Sequence, residues 1–181
     1  MMMRFIAVGL IACAGSVWGA RVDTSSQEKD LQWQTFPSEE PIKAFAVTST
    51  HLWYAAGEAV TVLNLKKMDI EKFAKLGTLS AAAVTSMATD GAKVWIGTAE
   101  GVAVKDAKTW TTFTSENGIP DNAITEVAVG AGKVAIGTKS GAAVFMNNAW
   151  KAYTAKDGLA GDDVRDIIIE TGGRIWFGTD K

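Results

Sequence analysis

Trp110-Thr-Thr-Phe113-Thr-Ser-Glu-Asn-Gly118-Ile119 returns forty positions later as Trp150-Lys-Ala-Tyr153-Thr-Ala-Lys-Asp-Gly158-Leu159. Gly97-Thr98 returns as Gly137-Thr138 after forty and as Gly178-Thr179 after a further forty-one, a shift that one extra turn residue accounts for. This period constrains the chain more than any other feature, because a unit of about forty residues cannot bury an apolar face alone and must stack on copies of itself. Each unit reads as an aromatic strand (W-x-x-F/Y), a polar loop, and a strand such as Ile124 to Val129. A Gly turn, a strand such as Val94 to Thr98, a second turn and a strand such as Val102 to Val104 complete it. Helix-pair solenoids share the period, but the β-branched residues, the Asp90-Gly91 hairpin signal and the Gly172-Gly173 turn oppose them. Eighteen glycines and seven tryptophans against three prolines fit short strands joined by tight turns.

Four strands per forty residues is one blade of a β-propeller. The expectation is therefore an all-β chain of four-stranded antiparallel blades, about four repeats, with units at 31–69, 70–109, 110–149 and a partial one at 150–181. The first unit is degenerate, running from Trp33-Gln-Thr-Phe36 through Leu52-Trp53-Tyr54-Ala55-Ala56 to Val60-Thr-Val62. Where its successor should open on W-x-x-F the chain has Ile70-Glu-Lys-Phe73. Lys66 to Leu76 could equally be a short helix, and only register with later units favours a strand. Ala81 to Val84 and Val164 to Ile169 are apolar without alternation, as expected of strands sandwiched between neighbouring sheets. Counted from Val164, the last blade lacks two strands. An incomplete ring or arc is expected, one that Trp33–Phe36 helps to latch, that self-association completes, or that belongs to a longer chain.

Met1 to Ala20 has a basic start at Arg4, an apolar run from Phe5 and a small-residue end, the pattern of a secretory signal peptide. Residues 21–30 form a polar leader. Leu10-Ile11-Ala12-Cys13 also resembles a lipobox, which would make Cys13 a lipidation site. Either way the chain is exported, to the periplasm or outside the cell, or alternatively to the outer envelope as a lipoprotein. Eighteen basic against twenty acidic residues, a net charge of −2, exclude a strongly basic nucleic-acid reader. Nothing after residue 20 is apolar for long enough to span a membrane, and loss of Cys13, the only cysteine, would leave no thiol chemistry.

Three segments carry a specific resemblance: Gly118-Ile-Pro-Asp-Asn-Ala-Ile124 through Gly137-Thr138, Gly158-Leu-Ala-Gly-Asp-Asp-Val164 through Gly178-Thr179, and Val84 through Trp95-Ile-Gly97-Thr98-Ala-Glu-Gly101. They resemble two-component regulator propeller repeats, closely over residues 80–181 and weakly over 31–79. The resemblance implies a propeller of the kind that forms periplasmic sensor regions of hybrid histidine kinases and recognises carbohydrate-derived ligands. No kinase module accompanies it in this sequence.

Within the repeats, Gly97-Thr98, Gly137-Thr138 and Gly178-Thr179 read as structural, a turn-enabling glycine followed by a hydroxyl that satisfies nearby backbone. Trp95 and Trp176 are expected to pack between blades, and Trp33, Trp110 and Trp150 to sit more exposed on outer strands. His51 has no partner for a catalytic triad and reads as a turn residue. Candidate ligand residues lie on the loop face: Glu100, Glu116, Asn117, Asp121, Asn122, Lys139, Ser140, Lys156, Asp157, Asp162 and Asp163. Carboxylates and amides there suit a polyol or a divalent cation, although a solvated Asx turn needs the same residues. The function expected is non-enzymatic binding of a small-molecule or glycan ligand, or of an envelope protein, with no cofactor, no metal and no nucleic acid. A propeller lyase or hydrolase of the streptogramin-lyase type, or a structural docking platform at the envelope, is the alternative.

Overall fold

Antiparallel meanders dominate the computed structural model, which describes residues 40–181. The signal peptide, Cys13, the polar leader and Trp33–Phe36 lie outside the described residues. The first sheet comprises β1 (Ile42–Val47), β2 (His51–Ala56), β3 (Ala59–Asn64) and β4 (Ile70–Phe73). A two-stranded ribbon, β5 (Lys75–Leu76) and β6 (Leu79–Ser80), leads to the second sheet: β7 (Val84–Thr89), β8 (Lys93–Thr98), β9 (Gly101–Asp106) and β10 (Thr109–Phe113). The third holds β11 (Ile124–Gly130), β12 (Lys133–Thr138), β13 (Gly141–Met146) and β14 (Ala149–Tyr153). The fourth has β15 (Val164–Ile169) and β16 (Ile175–Thr179). Residues from Lys43 to Lys181 form one compact unit. Each sheet begins at an inner strand, so the W-x-x-F/Y strand that opens a sequence unit is the outermost strand of the preceding sheet.

Neighbouring sheets stack face to face, and the core is divided among the contacts between them. Trp53, Val60 and Val62 of the first sheet meet Val94, Ile96 and Ala103 of the second. Trp95, Val102 and Val104 of the second meet Val127, Val134 and Ile136 of the third. Ala135, Ala142 and Val144 of the third meet Val164 and Ile167 of the fourth. Along β8 and β12, successive residues alternate between the preceding and the following sheet, so both faces are apolar and buried. The fourth sheet stays open beyond Trp176, and no sheet among the described residues closes the ring. No helix among them is long and apolar enough to cross a membrane.

One open local reading is settled and two change. Ile70–Phe73 is a strand, paired with Val60 to Leu63, and Lys66 lies in a turn whose Asn64 Oδ1 accepts from the amides of Lys66 and Lys67. Ala81–Ala83 is a single 3-10 turn instead of a buried strand, because the Ser80 hydroxyl accepts from the Ala82 amide and caps it. Gly97 and Gly137 do not make turns. A Cβ on Gly97 would stand 2.7 Å from Ile124 Cγ2 and one on Gly137 2.8 Å from Val164 Cγ1, so these glycines let one sheet approach the next. Thr98 and Thr138 behave as read: each hydroxyl donates 2.8 Å to the carbonyl three residues on, Gly101 or Gly141, and accepts from the amide of Glu100 or Ser140.

Candidate functional site

The loops that return from each outer strand to the next inner strand share one end of the sheets with the β8–β9 and β12–β13 turns. After β10 the chain makes a 3-10 turn at Ser115–Asn117, and after β14 another at Ala155–Asp157. Both end on a left-handed glycine, Gly118 at φ 95° and Gly158 at φ 107°, a conformation that a side chain would oppose. Asn117 Oδ1 accepts from the Thr114 amide at 3.0 Å, and Asp157 Oδ2 accepts from the amide and hydroxyl of Thr154, both at 2.9 Å. Asn122 Oδ1 accepts from the Ser115 amide and Asp162 Oδ1 from the Ala155 amide, both at 2.7 Å. The two loops therefore use the same clasp forty residues apart.

Asp121 joins two loops. Its Oδ1 accepts from the Ala123 amide at 3.1 Å in an Asx turn, and its Oδ2 accepts from the Ser140 hydroxyl at 2.9 Å across the face. The Ala123 amide bond, then the Ser140 hydroxyl bond, hold its pKa below the usual 3.8. Asp157 is likewise lowered, chiefly by the Thr154 hydroxyl. Glu100 Oε2 accepts from the Ser80 amide at 2.9 Å, and Asp163 pairs with Arg165 at 3.0 Å. Most of the sequence-chosen carboxylates and amides thus hold their own loops. Glu116, Lys139 and Lys156 make no hydrogen bond or ion pair and project from that scaffold.

Because its pKa is lowered on folding, the contribution of Asp121 is present above 3.8 and is lost as pH falls through its depressed value. We expect the Ala123 and Ser140 resonances to move together in an NMR titration below pH 3.8, and Asp121→Asn to abolish that step. Independent movement of the two would separate the loops.

At the opposite ends of the strands, where β1–β2, β7–β8, β9–β10 and β13–β14 turn, lie two grooves of about 500 Å³ each. One runs between the first and second sheets beside His51, Trp53 and Phe73; the other runs between the second and third beside Trp95, Phe145 and Asn148. Sequence reasoning missed them because they are gaps between repeats, and no residue type marks them. His51 lines the first, with Nδ1 2.8 Å from Thr50 Oγ1 and Nε2 3.3 Å from Asn64 Nδ2, so both ring nitrogens are engaged. Trp110 and Trp150 are half-buried, packing edge-on against Trp53 and Trp95; Trp33 lies outside the described residues. No group of three or more His, Cys, Asp or Glu side chains among the described residues is arranged to hold a metal ion.

Stacked four-stranded meanders of this kind define a β-propeller. The chain belongs to the WD40 repeated domain family, which it matches over residues 1–147. No curated protein matches the sequence. Among solved structures, an extracellular domain described as that of a hybrid two-component system of B. thetaiotaomicron is similar with a TM-score of 0.62 at 15% identity, over 76% of this chain and 20% of that one. A second such extracellular domain from the same organism gives 0.59 at 18% identity, over 87% of this chain and 21% of that one. The computationally designed Ika4 protein gives 0.55 at 14% identity, over 79% of this chain and 93% of that one. The chain spans about a fifth of the length of the two extracellular domains.

Proposed function

We propose that this is an exported, non-catalytic propeller that binds a polar ligand, carbohydrate-derived or presented by a protein partner, on the loop face, in the manner of two-component sensor regions. The observation that carries the reading is a division of labour on that face. Asn117, Asp121, Asn122, Asp157 and Asp162 hold the loops, while Glu116, Lys139 and Lys156 make no hydrogen bond or ion pair, Lys139 and Lys156 acting on the Asp121 and Asp157 carboxylates only through their charge. A scaffold fixed before binding lowers the ordering cost, and charged donors and acceptors on it give orientation. The likeness to extracellular domains of two-component systems supports the export and sensor reading.

A glycan array followed by titration of each hit tests it. The combined Glu116→Ala, Lys139→Ala and Lys156→Ala variant should bind at least about tenfold more weakly, since charged hydrogen bonds contribute about 1.5–3 kcal/mol each. Its melting temperature should be unchanged. Unchanged affinity would move the site off this face, with the two grooves as the next places to probe.

A further inference from the structure

The contact between the first and second sheets repeats the contact between the second and third, ring for ring. Trp53 pairs with Val62 as Trp95 pairs with Val104, and Phe73 pairs with Val60 as Phe113 pairs with Val102. Trp53 and Phe73 lie parallel within 4° at 6.3 Å, and Trp110 meets Trp53 edge-on at 6.5 Å. In the later contact Trp95 and Phe113 lie within 12° at 6.4 Å, and Trp150 meets Trp95 edge-on at 6.1 Å.

One position breaks the repeat. Phe145 is the strand partner of Trp150 and completes a cluster of four rings, 5.0 Å from Trp150 and 5.3 Å from Trp95. In the earlier contact that place belongs to Lys105, the strand partner of Trp110. Its ammonium lies 5.2 Å from the Trp110 ring centre and 5.9 Å from that of Phe73, so two rings hold it.

Lys105 is half-buried and makes no hydrogen bond or ion pair among the described residues. A cation taken partly out of water without an acceptor is costly, and two rings offset only part of that cost. A phenylalanine fills the equivalent place without it. Lys105 lines the groove of about 500 Å³ between these two sheets, whose apolar wall includes Trp53, Val62 and Val94. Lys108 lines it as well, and it too makes no hydrogen bond or ion pair among the described residues. One acid, Glu71, stands on the same side of β4 as Phe73; it is exposed and forms no ion pair with Lys105. A ligand with many negative charges would be repelled there, whereas a single carboxylate on an apolar body meets a cation and a wall that suit it.

We infer that this groove is a second binding site, separate from the loop face, for a small organic acid. Its carboxylate takes a charge-assisted hydrogen bond from Lys105, Lys108 adds to the attraction, and its ring-sized apolar body lies against the wall. The rings that hold Lys105 fix the donor before the ligand arrives, which lowers the ordering cost. The groove beside Phe145 lacks the cation at that place and takes no such ligand.

Phenylacetate, with phenylacetamide as its uncharged counterpart, tests this by calorimetric titration and by the indole N–H resonances. Phenylacetate should bind at least about tenfold more tightly than the amide, the effect of one charged hydrogen bond. It should move the Trp53 and Trp110 signals and leave those of Trp95 and Trp150 in place. Lys105→Met and Lys105→Phe should each weaken binding at least about tenfold with near-UV circular dichroism showing a folded chain, while Lys105→Arg retains most of the affinity. Glu71→Gln, which removes the repelling charge, should tighten binding about twofold. The combined Glu116→Ala, Lys139→Ala and Lys156→Ala variant should bind phenylacetate as the unaltered chain does, so the two sites stand or fall separately. Absence of binding, equal binding of acid and amide, full affinity in a folded Lys105→Met or Lys105→Phe chain, weaker binding by Glu71→Gln, or movement of the Trp95 and Trp150 signals would each overturn the proposal.

Discussion

Trp95→Ala should lower the stability of the folded chain by about 3–5 kcal/mol, a fall in melting temperature on the order of 10 °C read by calorimetry. Trp95 is only 4% exposed and is the hub of an aromatic cluster, stacked on Phe113 at 6.4 Å, tilted against Phe145 at 5.3 Å and edge-on to Trp150 at 6.1 Å. Phe145 and Trp150 belong to the third sheet, so truncation opens a cavity at the contact that fixes two blades together. The indole Nε1–H of Trp95 has no hydrogen-bond partner, nor has that of Trp150. Shape and apolar contact hold this cluster, and Trp95→Phe should therefore cost only about 1 kcal/mol, the loss of some contact area and no hydrogen bond. Trp176→Ala should cost about 1 kcal/mol or less despite occupying the same register position, because this indole is 53% exposed. Equal losses at Trp95 and Trp176 would show that the indole supports its own sheet and not the contact between sheets.

That comparison also shows where sequence legibility ended. The forty-residue period determined the strand count, the order of turns and the stacking of sheets, because each depends on short-range pattern repeated in register. Burial at Trp176 depends on what lies beyond the fourth sheet, which no local pattern encodes. Ala81–Ala83 failed for a different reason: an apolar run does not distinguish a strand from a short turn, and the Ser80 hydroxyl decides between them through one hydrogen bond. Ile70–Phe73 was ambiguous because β4 is an outer strand with little buried surface to impose alternation.

The loop face was legible as a place but not as a set of roles. Asp and Asn at loop positions serve equally as ligand contacts or as acceptors for their own backbone, and sequence cannot distinguish a carboxylate that clasps Ala123 and Ser140 from one that faces solvent. Geometry separates them, leaving the unpaired Glu116, Lys139 and Lys156 as the side chains free to meet something else. Glu126 illustrates a further invisible property. Burial between sheets, then the nearby Asp166 carboxylate, raises its pKa above 4.5. Nothing in Ile124-Thr-Glu-Val127 announces this.

Gly137→Ala should destabilise the chain by about 1–3 kcal/mol, the usual cost of overfilling a packed contact, and Gly97→Ala by at least as much. The new methyl at 137 would lie 2.8 Å from Val164 Cγ1, 2.9 Å from Thr125 Oγ1 and 3.2 Å from Val164 Cβ. At 97 it would meet Ile124 Cγ2 and Ser86 Oγ at 2.7 Å and Val127 Cγ2 at 2.9 Å, and Ile124 and Val127 are themselves buried, with no room to retreat. Neither glycine has the positive φ that would penalise alanine on backbone grounds, so the cost arises from space between sheets. Two controls follow. Val164→Ala removes the nearest methyl, and in the double variant with Gly137→Ala the losses should be less than additive by about 1 kcal/mol, a coupling measurable by denaturant unfolding. Gly178→Ala, where the nearest atom is an ordinary 3.4 Å away, should shift stability by no more than about 0.5 kcal/mol in the isolated chain. Losses at Gly97 and Gly137 without one at Gly178 would tie the repeated glycine to the approach of one sheet on the next.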